Sequence, residues 1–154
     1  NANLSGANLT NVNLVGALMT GVTSGAVSGS PSLPTGWKLI GGYLIGPGAV
    51  LARAQLSGAN LSGVTLSGSN LNGSNLSGGK LTGATLIGAN LSGATLKKLD
   101  FGTANLTGAN LDQADITGAK LSKAILTGFS GKTKGVPANL PVGYKILKGQ
   151  LVKK

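Results

Sequence analysis

The sequence predicts an all-β solenoid, a chain wound into stacked coils around a narrow apolar core. Three observations carry that prediction: a large apolar residue at every fifth position from Leu51 to Leu126, an apolar content of 41% with aromatics at only 3%, and 27 glycines among 154 residues. Apolar content at that level excludes a disordered linker. So few aromatics exclude a core filled by aromatic bulk. No run approaches the roughly 18 apolar residues that a membrane span needs.

The period is the strongest of the three. Large apolar residues stand at Leu51, Leu56, Leu61, Leu66 and so on through Phe101, Ile116 and Leu126, sixteen consecutive hits. Two residues before each stands a small one, usually Ala, with Leu99 the one bulky exception; two residues after is usually Gly. The opening segment repeats the scheme in Leu4, Leu9, Leu14 and Met19, preceded by Ala2, Ala7, Val12 and Ala17. Neither the helical period of 3.6 nor the strand period of 2 gives this spacing. A five-residue unit that points one large and one small residue inward and then turns a corner makes a coil, and stacked coils pair through their backbones about 4.8 Å apart. Glycine at the corner permits the tight turn.

The stretch GANLSGVTLSGSNLNGSNLSG at 58–78 resembles the pentapeptide-repeat family, whose motif is A(N/D)LxX, and the resemblance extends over about 100 of the 154 residues. It implies a right-handed quadrilateral β-helix with four pentapeptides per coil. On that basis residues 1–21 are the first coil, 22–48 a hairpin insert, 49–128 a four-coil solenoid, and 129–154 a second hairpin-like segment, giving about five coils with two β-hairpin-like inserts.

The two inserts are copies of one another. Residues 33–45 read LPTGWKLIGGYLI and residues 140–152 read LPVGYKILKGQLV, six of thirteen positions identical at an offset of 107. Pro34 and Gly36 punctuate the first copy, and apolar strands flank a Gly41-Gly42 turn. Trp37, Tyr43 and Tyr144 are expected to pack on the solenoid side.

Residues twenty apart should lie above one another. One column then reads Asn60, Lys80, Asp100, Lys120, an expected ion-pair ladder. Another reads Asn70, Asn90, Asn110, an expected amide ladder along the stack. A Ser/Thr row suggests ice binding, but Ile87 and Asn105 interrupt the regular Thr array that activity requires.

Chemistry-bearing residues are scarce. The chain has no His and no Cys, which removes metal clusters and the usual nucleophile–base pairs. Its three carboxylates are Asp100, Asp112 and Asp115, and no catalytic, cofactor-binding or metal-binding residue is assigned. The sequence therefore predicts a protein that is not an enzyme and carries no cofactor. Mimicry of DNA, the best-known activity of the family it resembles, requires an acidic surface, whereas this chain carries a net charge of +10. Sites for base stacking are equally few. Eight lysines follow Asp115 with no intervening carboxylate: Lys120, Lys123, Lys132, Lys134, Lys145, Lys148, Lys153 and Lys154. They form a basic surface suited to an anionic polymer or surface, whether wall polymer, nucleic acid or lipid.

The ends suggest the function. The chain opens on full-strength repeats, NANLSGANL, where repeat proteins ordinarily place a cap. Lys154 corresponds to Pro47 at the 107-residue offset, so Asn1 and Ala2 of another molecule continue the pattern in the phase of Gly48 and Ala49. The expectation is a structural subunit that stacks head to tail with itself into an extracellular filament or surface assembly, through Asn1, Ala2, Leu4, Leu9, Leu14 and Met19 on one side and Leu147, Leu151 and Val152 on the other. The alternative is a monomeric or sliced repeat scaffold that binds an anionic partner through its basic C-terminal half. A rigid, cysteine-free rod whose first residue is Asn1 rather than Met is expected outside the cell or on its surface, in a prokaryote.

Overall fold

The computed structural model describes residues 1–154 and is built of strands, bridges and turns. Two antiparallel hairpins, β1 (Lys38–Ile40) with β2 (Tyr43–Ile45) and β3 (Tyr144–Leu147) with β4 (Gln150–Lys153), stand among parallel backbone bridges. No helix is long and apolar enough to cross a membrane.

The parallel bridges fall into four columns. The first runs Asn3, Thr23, Val50, Asn70, Asn90, Asn110, Ser130; the second has Gln55, Asn75, Thr95, Asp115, Lys134; the third has Asn60, Lys80, Asp100, Lys120, Asn139; the fourth has Thr65, Thr85, Asn105, Ile125. Pentapeptides in the interior of a column bond in both directions along it. Asn70 N–H donates to the Ala49 carbonyl at 2.9 Å on one side, and Leu71 N–H donates to the Asn90 carbonyl at 2.7 Å on the other. Backbone polar groups are thereby satisfied without long strands.

The corner is a four-residue turn. Ala7 N–H donates to the Leu4 carbonyl at 3.1 Å, and Gly6, the third residue of the turn, has φ +73°. This is the pattern of a type II turn, which requires positive φ at that position and so favours glycine. At four corners without glycine the backbone keeps the same conformation, with Asn11, Arg53, Lys98 and Gln113 at φ between 55° and 60°, whereas Thr103 and Lys123 do not adopt positive φ. The Asn of the motif reinforces the same corner. Asn3, Asn60, Asn70, Asn90 and Asn110 each accept, through Oδ1, the N–H of the residue two positions on, at 2.9–3.1 Å. These are Asx turns. They correct the expected amide ladder: Asn70, Asn90 and Asn110 stack in register, but each side chain folds onto its own corner.

The core has two parts. Thirty buried residues from Ile45 to Leu151 form a continuous apolar column, with Leu at the large positions and Ala at most of the small ones. Leu9, Met19, Val22, Val27 and Leu44 form a separate cluster beneath the first coil. The β1–β2 hairpin lies between the two.

The ladder also enters the segment that the periodicity treats as an insert. Thr23, Ser28 and Ser32 pair with Asn3, Asn8 and Asn13, so residues 22–33 occupy three columns and the hairpin proper spans Lys38–Ile45. The reason is an exchange of bulk. Val22 and Val27 stand at the small positions, whereas Ser24 and Gly29 stand at the large ones. Leu44 takes the vacated volume, and its N–H donates to Ser24 Oγ at 2.9 Å. The same exchange recurs at Phe129 and Gly131, where the second hairpin delivers Leu151. Columns two and three break at the first hairpin, between Ser28 and Gln55 and between Ser32 and Asn60, whereas column one passes through by pairing Thr23 with Val50.

Candidate functional surfaces

The first candidate surface is the outer edge of the first coil. Asn3, Asn8 and Asn13 are each bridged on one side only, whereas interior residues such as Asn70 and Asn90 are bridged on both. Asn1 and Ala2 are exposed, and Leu4 and Leu14 are half-buried. Leu9 and Met19 are closed into the chain's own core at 6% and 4% exposure, so of the predicted edge residues they have the least left to offer a partner. Two apolar residues the periodicity does not single out are open here, Val15 and the fully exposed Leu18.

The opposite end is built by the β3–β4 hairpin. Ile146 and Leu151 face inward, Leu151 being 7% exposed, and Tyr144, Leu140 and Phe129 pack against the same core. Leu147 and Val152 lie on the other face of the hairpin, Leu147 exposed and Val152 half-buried. Thr133 N–H donates to the Gly149 carbonyl at 2.8 Å and Lys132 pairs antiparallel with Gln150, which ties the hairpin to the last corner.

In the internal hairpin the aromatics have structural tasks. Trp37 lies over Gly46, where an added Cβ would enter its ring. Tyr43 spans the interruption: its ring approaches Gly25, and its hydroxyl accepts the Gln55 N–H at 3.0 Å.

All eight lysines after Asp115 are exposed. Lys120 and Lys123 meet Asp100, Thr82 and Asn139 around a polar recess on the face of the third column. Lys145 and Lys154 border an apolar groove between Val136, Leu140, Tyr144 and Ile146. The ion pairing differs from expectation. Lys80, Asp100 and Lys120 are in register, yet Asp100 Oδ1 accepts the Gly102 N–H at 2.9 Å, and the chain's salt bridge is Lys97 Nζ to Asp115 Oδ2 at 3.3 Å. Asp100 is the Asx residue of its corner, which turns its carboxylate along its own tier. Asp115 Oδ1 also accepts the Thr117 hydroxyl at 2.6 Å and its N–H at 3.0 Å. The Thr117 hydroxyl bond, helped by the Thr117 N–H and Lys97 and opposed by partial desolvation, holds the Asp115 carboxyl below its ordinary value.

Comparison with known proteins agrees with the ladder. A family model described as pentapeptide repeats matches in eight copies over residues 1–23, 49–88 and 89–128. No curated protein matches the chain in sequence. Among solved structures, the pentapeptide repeat protein Rfr23 from the cyanobacterium Cyanothece 51142 is similar at 33% identity and TM-score 0.55, over 86% of this chain and 84% of that one. A pentapeptide repeat protein from the Arabidopsis thaliana thylakoid lumen is 35% identical over 51% of this chain and 59% of its own, with TM-score 0.30. The plasmid-mediated fluoroquinolone resistance protein QnrB1 is 21% identical over 86% of this chain and 60% of its own, with TM-score 0.49. The five-residue period, the columns of parallel bridges and the family match agree, and the chain belongs to the pentapeptide-repeat family.

Proposed function

We propose that this chain is a non-enzymatic structural subunit that stacks end to end with copies of itself, its coils continuing a right-handed quadrilateral β-helix from one molecule to the next. The observation that supports the reading is the internal junction, where a hairpin-bearing tier seats a further coil in register through the pairing of Thr23 with Val50, and the β3–β4 hairpin is a copy of that hairpin. An edge with unpaired N–H and C=O groups is a template for further pairing. The edge adds no charged side chain to such a contact, because residues 1–21 contain none. A heterologous contact that does not close on itself produces a filament, and such a rod suits an extracellular or surface role.

The test is negative-stain electron microscopy at micromolar concentration, with size-exclusion light scattering alongside. Long uniform fibres are expected. A monodisperse 15.0 kDa particle overturns the reading.

A second reading rests on the eight exposed lysines, none of which forms a salt bridge. They suit the basic half to an anionic polymer, bound through many weak contacts and released by salt.

A further inference from the structure

Besides the bridges, a second ladder of backbone bonds runs along the corners. In column one the Arg53, Gly73, Gly93 and Gln113 N–H groups each donate to a carbonyl of the next tier at 2.6–2.9 Å. The donor is the third residue of one turn and the acceptor the second residue of the next. Columns two and four keep the same ladder, through Gly58, Gly78, Lys98 and Gly118 and through Gly48, Gly68, Gly88 and Gly108. Column three begins alike, with Gly63 N–H on the Thr82 carbonyl at 3.0 Å, and then stops. The Gly83, Thr103 and Lys123 N–H groups form no backbone hydrogen bond within the chain.

The turns explain the stop. Gly83 has φ +71°, as a type II corner requires. In Phe101-Gly102-Thr103-Ala104 the positive φ, +48°, moves to Gly102, the pattern of a type II′ turn. Leu121-Ser122-Lys123-Ala124 has positive φ at neither central residue, the pattern of type I. Both still close as turns, Ala104 N–H donating to the Phe101 carbonyl at 2.8 Å and Ala124 N–H to the Leu121 carbonyl at 2.9 Å. Types I and II′ turn the central peptide over relative to type II. The Thr103 N–H therefore faces back toward Gly83, whose own N–H faces forward. Two donors converge where the other columns pair a donor with an acceptor.

They converge at the polar recess on the third column, which encloses about 300 Å³ and has no apolar side chain in its wall. Thr82, Thr103 and Ser122 bring hydroxyls to it, and Lys120 and Lys123 bring cations. Glycine at position 102 lets Thr82 close in, because an added Cβ would stand 2.5 Å from Thr82 Oγ1. Neither lysine belongs to the chain's salt bridge. Asp100 is the one carboxylate, and its Oδ1 is engaged by the Gly102 N–H at 2.9 Å. Two lysines against one carboxylate leave the recess with a net charge of +1. Convergent backbone N–H groups beside cationic side chains are the chemistry that holds an oxyanion.

We propose that this recess binds a phosphate group, which accepts from the Gly83 and Thr103 N–H groups and the two threonine hydroxyls and is held by Lys120 and Lys123. The inference rests on the polymer-binding reading and names the group recognised. That group arrives either as a free ion or as one unit of a linear polyphosphate.

Equilibrium dialysis of the full chain against inorganic phosphate, at an ionic strength fixed with chloride, should show saturable binding of a single phosphate per chain. Gly102→Ser with Thr103→Gly restores the type II order and completes the ladder. Phosphate affinity should then fall by about tenfold or more, while the denaturation midpoint holds or rises. Lys120→Gln with Lys123→Gln should lower affinity as far, and it tests the recess even where the turn swap does not fold. Wild-type affinity in either variant, or no saturable binding by the wild type, overturns the proposal. Binding of linear polyphosphate that persists in that case leaves the polymer reading standing. Saturable phosphate binding that both variants lose, without any binding of polyphosphate, supports the recess as a free-ion site and overturns the polymer reading.

Discussion

Leu44 and Ile45 are neighbours in one strand, both fully buried, and they belong to different cores. Side chains alternate across a strand, so the β1–β2 hairpin works as a two-sided partition. Its Leu44 face completes the cluster under the first coil, and its Ile45 face begins the thirty-residue column.

The partition predicts separable stability. Leu44→Ala should cost about 2–5 kcal/mol, the usual range for a buried Leu truncation, and the loss should fall on residues 1–33. Hydrogen exchange by mass spectrometry should show faster exchange there while residues 70–128 keep their protection. Leu86→Ala, in the middle of the main column, should instead accelerate exchange in the tiers around it.

Backbone strain at a corner is a second target. Lys98 holds φ 55° at a position where the repeat places glycine. Left-handed backbone costs a non-glycine residue about 1–2 kcal/mol, partly offset by glycine's greater freedom in the unfolded chain. Lys98→Gly should therefore stabilise by about 0.5–1 kcal/mol, read as a higher denaturation midpoint, and Gly93→Lys should do the reverse.

The Asp115 carboxyl gives the acid response a sign. Its folded value is depressed, chiefly by the Thr117 hydroxyl with the Thr117 N–H and Lys97 assisting. The stabilisation is complete above the unfolded value of about 3.9 and is lost as pH falls through the lower folded value. Asp115→Asn keeps the acceptor oxygen that the corner needs but cannot titrate. Its thermal midpoint should fall slightly at neutral pH and decline less than the wild type's as pH drops from 5 toward 2.

Salt separates the two functional readings. Stacking through Leu147, Val152 and backbone pairing should persist when salt is raised, and should strengthen slightly as Lys153 and Lys154 are screened. Binding to an anionic polymer should weaken steeply over the same range. Parallel light scattering and polymer-binding titrations measure both.

The sequence exposes the fold wherever bulk and period coincide. Leu51 to Leu126 is legible because every tier repeats the same inward pair. Residues 22–33 are not, because Val22 and Val27 carry the bulk while Ser24 and Gly29 hold the large positions, and only the hairpin supplying Leu44 explains the exchange. Register alone could place Lys80, Asp100 and Lys120 in one column but not the direction of a side chain. The corner N–H groups draw Asp100 and the Asn residues inward along their own tiers. Lys97 reaches Asp115 from the turn beside its bridge partner Thr95, a diagonal contact that a twenty-residue count misses. The difference between the hairpins is likewise hidden: both place apolar residues at the same positions, and burial is what separates Ile45 from its counterpart Val152.

The four columns also have a mechanical meaning. Under a pull along the axis, tiers separate through short hydrogen-bonded contacts while the chain between them stays covalent. Each freed tier of twenty residues can extend to about 70 Å from a spacing of about 4.8 Å, so the rod holds a large reserve of slack. At the internal hairpin the second and third columns are interrupted and the first continues through Thr23 and Val50. Tension there falls on fewer backbone bonds than elsewhere, and yielding should start at that tier, lengthening the rod before it breaks.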